Sequence, residues 1–287
     1  LDIHARRLRF RISDSLPKYW NHLNPVKTHL LNAISVLAPA FERLAISSVL
    51  PFKDQCHKNP ILQAQVNGFI EQESAHGAEF IRFNSILKKQ GYQVKALERE
   101  NLKTFRRLAN KFSAKNQLSF TLAAEHLTAI LSDELLRHDH WLEHADANIR
   151  ALWRWHAIEE IEHKAVAFDL YQQMDGGYWA RVLGMLVVTV TLGMILTKNF
   201  FYFVRQDKLL FKLDFWWHYI GVLWIKPGLI RRLLLPYLRY FLPNFHPWQK
   251  DNRVLIDAYK KCFSQANNNE AMIKILGMSL DLKGNGS

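Results

Sequence analysis

The chain of 287 residues is 49% hydrophobic, with nine Trp, eighteen Phe and nine Tyr, enough apolar material for one good core or one core plus an appendage. Two cysteines, Cys56 and Cys262, exclude a disulfide framework and a thiolate metal cluster, and they suit a reducing compartment. A formal charge of +12 favours an anionic partner, nucleic acid or anionic lipid, and no nucleic-acid recognition motif supports the first.

The sequence as given opens at Leu1 without a cleavable secretory signal. Arg6 to Arg11 alternates basic and apolar residues, which reads as a solvated basic terminus or as an arm on a membrane surface. Asn24-Pro25 marks a helix start, with Asn as cap and Pro in the first turn, and Pro51 stops the helix near Leu50. Its inner face is Leu31, Ser35, Ala38, Glu42, Ala45 and Val49, with Glu42 the single charge; Pro39 is expected to kink it. Taken alone, such a Glu is an ordinary paired structural residue.

A second helix follows Pro60, runs to about Lys89 and ends at Gly91. Phe69, Ile70, Glu73, His76, Phe80 and Phe83 share one face, so an E-x-x-H lies at the centre of an aromatic stripe. One such match means little by itself. Residues 92 to 114 are highly charged and read as a crossover containing a surface helix, before a third long helix from about Ala114 to Glu143. Its inner stripe is Leu118, Leu122, Glu125, Ala129 and Ser132, again with one solitary Glu. His138, His140 and His144 at its far end read as a wet helix terminus, although His140 and His144 have metal-ligand spacing.

The fourth helix, extending to about Met174, contains Trp153 to Leu170. Steps of four and three residues put His156, Glu160 and His163 on one face, in line with Leu152, Ala167 and Leu170. Glu159, Glu162 and Lys164 point elsewhere and read as a solvated face. A carboxylate buried between two imidazoles needs a cationic compensation, which a divalent metal supplies.

Beyond Asp175-Gly176-Gly177 the composition changes. Val182 to Leu196 is an uncharged run that Phe200 to Val204 continues past Lys198, close to the roughly 20 residues that span a bilayer. Phe215 to Ile225 is a second apolar segment with three Trp, and Arg231 to Phe241 mixes Arg, Leu and Tyr as at lipid headgroups. The alternative is a buried helix plus an oligomer interface. The tail from Lys250 is expected to be an amphipathic helix, with Lys283 to Ser287 frayed.

In order, four helices carry Glu42, Glu73-x-x-His76, Glu125 and Glu160-x-x-His163. One Glu from each of two helices and an E-x-x-H from each of the other two is the di-metal pattern of four-helix bundles. Four carboxylates neutralise two divalent cations, and the histidines give one nitrogen per metal.

Through E-Q-E-S-A-H, L-A-A-E-H-L-T-A-I-L and W-H-A-I-E-E-I-E-H-K-A-V-A-F-D, residues 1–260 resemble the bacterial family described as predicted metal-dependent hydrolases. Over residues 25–175 the pattern is similar to ferritin-like di-iron carboxylate proteins. His156, four residues before Glu160, is similar to the seventh ligand of their p-aminobenzoate N-oxygenase branch. The resemblance implies Glu42, Glu73, His76, Glu125, His156, Glu160 and His163 as ligands of two iron ions, with manganese or zinc as the alternative. The hydrophobic C-terminal third departs from those soluble N-oxygenases, so their arylamine substrate is not carried over.

The expected fold class is all-α: a ferritin-like four-helix bundle over 1–176 and a hydrophobic, membrane-associated helical region over 177–287. The expected function is a membrane-associated di-iron oxygenase or oxidase that uses O2 on a hydrophobic, lipid-like substrate, with electrons from a separate ferredoxin or reductase, since no flavin or nicotinamide fingerprint occurs. Gly77, Thr121, Thr128 and Ala129 are candidates for the substrate pocket or ordinary packing residues. The alternative is a hydrolase in which two metals activate water; an iron-storage role fits the apolar tail less well. An anionic bacterial inner membrane, with the active part on its cytoplasmic side, and a homodimer complete the expectations.

Overall fold

Four side chains that accept hydrogen bonds from backbone N–H groups start the long helices where the sequence places them. Asn24 accepts from the Lys27 N–H at 3.1 Å and opens α1 (Pro25–Val49). Asn59 accepts from Leu62 at 3.1 Å and opens α2 (Pro60–Lys89), after which α3 (Val94–Ala109) forms the crossover. Ser113 caps α4 (Ala114–Arg137), and Asp146 caps α5 (Ala147–His163) through two N–H groups. This computed structural model describes residues 2–21, 24–56, 59–264, 266 and 268–278, and among them it is an all-helical bundle.

Helices α1 and α2 pack along each other, as do α4 and α5, and α3 covers α1. The inner faces of α1 and α4 fall where the helical spacing predicts, with every residue of both stripes buried. Helix α1 continues through Pro39. Two expectations on helix ends are corrected. Helix α4 stops at Arg137 because His138 leaves the helical region (φ −131°, ψ 98°). The fourth helix is not continuous to Met174: a turn at Lys164-Ala165 separates α5 from α6 (Val166–Gln173).

The amino-terminal segment is neither a solvated arm nor a free membrane arm. Ile3, Leu8 and Phe10 are buried, and the strap lies so close to α2 that a Cβ on Gly68 would sit 2.3 Å from the Ile3 carbonyl oxygen. The alternation over residues 6–11 has its apolar half turned into the core.

Helix α7 (Tyr178–Gln206) lies against α1 and α4, with Gly184 allowing the close approach: a Cβ there would meet the Ser119 carbonyl oxygen at 2.7 Å. Helix α8 (Leu213–Ile220), a π-turn over Gly221–Ile225 and α9 (Leu229–Arg239) follow, and α9 also packs on α4. Helices α10 (Arg253–Ser264) and α11 (Asn269–Gly277) return to α5. The expected fraying at Lys283 to Ser287 falls outside the described residues. Among the described residues, two stretches are long and apolar enough to cross a membrane. Pro25–Cys56 is 61% buried over its apolar window and belongs to the core, whereas Tyr178–Gln206 is only 28% buried and leaves an apolar outer face.

Candidate metal centre

All seven residues singled out by spacing meet where two halves of the core join. Trp155 and Phe80 of one half stand edge-on to His76 and His156 at 4.9 Å, and Phe69 of the other stands edge-on to His163 at 4.9 Å. Within this apolar enclosure the donors form two groups, each offering one atom per residue with those atoms all within 4.8 Å of one another. One is Glu42, His76, His156 and Glu160; the other is Glu73, Glu125, Glu160 and His163. Glu160 belongs to both. Its Oε1 lies 3.2 Å from His156 Nε2 and 3.4 Å from His76 Nδ1, while its Oε2 lies 3.5 Å from His163 Nε2. His163 Nε2 is also 3.2 Å from Glu73 and 3.1 Å from Glu125.

These contacts are short but poorly aligned for hydrogen bonding. Both oxygens of Glu73, Glu125 and Glu160, one of Glu42, and the inward nitrogens of His76, His156 and His163 are buried without a hydrogen-bond partner. So many orphaned polar atoms converging in one apolar enclosure would be severely destabilising without a compensating ion. Oxygen-rich donors with three imidazoles suit divalent first-row metals, so the residues present fit a pair of such ions.

The electrostatics give the same reading. Burial pushes Glu42 up to about 7 and Glu125 up to about 8. Burial and the adjacent Glu42 carry Glu73 well above the ordinary carboxylate range. Burial opposes charge on Glu160 too, yet the imidazoles of His163 and His156 hold it well below that range. Against burial, Glu159 raises His76 and Glu160 raises His163. Crowded carboxylates therefore take up protons where no cation neutralises them.

The residues expected to be solvated form the layer outside this cluster. Glu159, Glu162 and Lys164 are all buried, which corrects the wet-face reading. His76 Nε2–H donates to Glu159 at 3.0 Å, leaving Nδ1 to face the cluster. His163 Nδ1–H donates to the Gln72 side-chain oxygen at 2.9 Å, leaving Nε2 inward. The Gln72 amide is fixed in turn, because its nitrogen donates to Glu162 at 3.1 Å and to the His4 carbonyl at 3.1 Å. Arg6 closes the layer from the amino-terminal strap, with 2.6 and 2.7 Å bonds to Glu162 and one of 3.1 Å to Glu159. The outward N–H of each ring thus keeps its partner whatever the inward nitrogen carries. Lys164 donates instead to the Lys250 carbonyl and to Asn252.

Two openings reach the cluster. A cavity of about 350 Å³ between α1, α4, α7 and α9 has almost wholly apolar walls and ends at Glu42 and His156. His156 is the most exposed of the seven, at 8%. A wider and more polar cleft of about 1010 Å³ between α1, α2 and α3 reaches Glu42 and Glu73 past Arg43, Lys95 and Arg99. Of the pocket candidates, Thr128 lines the apolar cavity and Gly77 the polar cleft. Thr121 is engaged with Ser48 at 2.6 Å, and Ala129 faces a different hollow near Lys164. His138 and His140 stack with 5.5 Å between ring centres, and among the described residues no metal-holding group includes them or His144.

Spacing alone missed Gln72, Glu159, Glu162 and Arg6. The available signal was a pair of acids on α5, Glu159 and Glu162, each one residue before a donor (Glu160 and His163), together with the basic and apolar alternation near the start.

A helical bundle that gathers four glutamates and three histidines around two adjoining positions defines a metal-binding class. Residues 4–251 match the family described as predicted metal-dependent hydrolase, and the chain belongs to that family. No curated protein and no solved structure matches the chain.

Proposed function

We propose that Glu42, His76, His156 and Glu160 hold one metal ion, that Glu73, Glu125, Glu160 and His163 hold a second, and that the pair are irons in a ferritin-like setting. The proposed enzyme oxidises a hydrophobic, lipid-like substrate with O2. The observation that carries this reading is the apolar cavity ending at His156 and Glu42. Its walls offer almost nothing to orient an ester or phosphate: the hydroxyls of Thr189 and Tyr237 bond each other at 3.0 Å. Such a site suits a substrate whose reacting part is hydrocarbon.

Two irons bound here would supply O2 activation. The chain's own residues do the rest. Leu37, Phe41 and Leu196 exclude water from the substrate end, Thr128 shapes the wall, and Gln72 and Glu159 hold His163 and His76 in the tautomers that present inward nitrogens. Insertion of one oxygen atom into a C–H bond uses O2, two electrons and two protons and yields an alcohol and water. The electrons come from a separate ferredoxin or reductase.

The second reading, hydrolysis, is supported by the family's description and by the polar cleft, which gives water a path to Glu42 and Glu73. Manganese or zinc would serve it. Metal analysis of protein purified in mild detergent, with absorption spectra before and after oxygenation of the reduced sample, separates the two. About two irons per chain with a transient visible band supports oxidation. Zinc or manganese without an O2 response supports hydrolysis.

A further inference from the structure

We propose that the outer face of α7, α8 and α9 lies in the plane of an anionic lipid leaflet without crossing it, and that an apolar chain enters the cavity sideways from that leaflet. The inference rests on the hydrophobic-substrate reading of the cavity and adds the partner surface and the route.

The face is built from exposed apolar side chains at helical spacing. On α7 they are Leu183, Leu186, Val190, Met194 and Phe201, recurring every three, four or seven residues. Helix α9 adds Leu234, Leu235 and Leu238, and the α8 region adds Trp217 and Trp224, which are 72% and 56% exposed. The three elements adjoin: Thr189 bonds Tyr237 between α7 and α9, and Phe200 stacks on Tyr219 between α7 and α8. Only Lys198, paired with Glu100 of α3, interrupts this face between Met194 and Phe201, and an exposed apolar surface of this extent is uncommon.

Charge says what covers it. Residues 177–242 contain nine Lys and Arg against two acids, Asp207 and Asp214. Asp207 is enclosed by Lys18, His29 and Tyr92, so Asp214 is the one exposed acid there, beside exposed Arg205, Lys208, Lys212, Lys226, Arg231 and Arg239. A cationic rim around an apolar face with exposed Trp matches anionic headgroups over acyl chains. A second copy of the chain would set this rim against itself, which opposes a two-fold interface.

The same geometry excludes a simple span. The inner side of α7, with Gly184, Met185, Val188 and Ile195, is held against the bundle along its length. One side of α7 is therefore available to lipid. The cavity opens on that side, since Gly193 and Leu234 line it and are also exposed. Gly193 has no neighbour within 4 Å of where a Cβ would stand, so a larger side chain fits at the mouth.

The test uses the full-length protein and vesicles of equal phosphatidylglycerol and phosphatidylcholine. With bromine on the acyl chains, tryptophan fluorescence is expected to be quenched, and the double change Trp217→Phe with Trp224→Phe should remove most of the quenching. Leu186→Asp with Leu238→Asp should weaken cosedimentation at least tenfold without changing metal content. Equal binding to vesicles of phosphatidylcholine alone, or a soluble dimer that ignores vesicles, overturns the leaflet assignment. In reconstituted vesicles, K208C and R99C should react with an impermeant maleimide from the same side; reaction from opposite sides overturns the in-plane placement. Gly193→Leu should lower binding of parinaric acid, a fluorescent fatty acid, at least tenfold while vesicle binding and metal content persist; unchanged binding overturns the sideways route. Vesicle binding in protein that holds no metal would instead sink the metal-enzyme reading and leave the leaflet face standing.

Discussion

Glu159 and His76 form a buried hydrogen bond of 3.0 Å between α5 and α2, and it selects which nitrogen of His76 faces the carboxylate cluster. The acid sits one residue before Glu160, on a face that helical spacing alone assigns to solvent.

Glu159→Ala is therefore expected to act on metal affinity through ring orientation. Loss of such an outer partner typically lowers affinity about 10–100-fold. Chelator competition against the wild type measures it. Unchanged affinity would remove Glu159 from any positioning role.

Glu160→Ala should differ in kind from His163→Ala. Glu160 presents one oxygen to each donor group, so its loss should bring metal content close to zero, whereas His163→Ala should lose chiefly one ion. Plasma emission spectrometry of both variants decides. Equal residual content in the two would mean that Glu160 is not shared.

Arg6→Ala leaves Glu159 and Glu162 buried without their cation. Breaking a buried pair from one side costs about 3–5 kcal/mol, so a fall of that order in denaturant-derived stability is expected. Arg6→Lys should recover only part, because an ammonium cannot serve both carboxylates with the planar two-pronged geometry of a guanidinium. Loss of less than about 1 kcal/mol in Arg6→Ala would show the strap to be a surface pair.

Acid sensitivity is expected from Asp207, just beyond α7. Burial alone would raise it, but His29 and Lys18, together with the Tyr92 hydroxyl, hold it down at about 2. Its folded value lies below the ordinary carboxylate value, so its stabilisation is complete above about pH 4 and is lost as pH falls through 2. The full shift corresponds to about 2 kcal/mol, which solvent screening lowers toward about 1 kcal/mol. Asp207→Asn should remove that component at neutral pH and flatten unfolding free energy between pH 4 and 2; an unaltered slope counts against it.

The ligand-bearing faces were legible because a buried carboxylate breaks an apolar stripe at a countable spacing. Glu42, Glu73, Glu125 and Glu160 each do so, and all four arrive at one place. What lies around them was not legible from one helix at a time. Glu159, Glu162 and Lys164 look solvated until the strap over residues 3–10, Gln72 and Asn252 are brought across them by tertiary packing. The turn at Lys164-Ala165 has no Gly or Pro to announce it. The apolar character of α7 was plain, but its half-packed state depends on Gly184 meeting Ser119, a contact between distant parts of the chain.

The two donor groups that share Glu160 are not copies of each other. One offers two imidazoles with two carboxylates, the other a single imidazole with three carboxylates. Softer nitrogen-rich surroundings favour later first-row ions, and oxygen-rich surroundings tolerate manganese better. Supplied with a limiting mixture of iron and manganese, the protein is expected to sort them, with iron beside His156 and manganese beside Glu125. Anomalous scattering recorded at both absorption edges would show the order, and a random distribution would mean that ligand chemistry does not discriminate here. Where the ions do sort, iron alone would fill both positions when only iron is supplied, and a mixed pair would report a mixed supply.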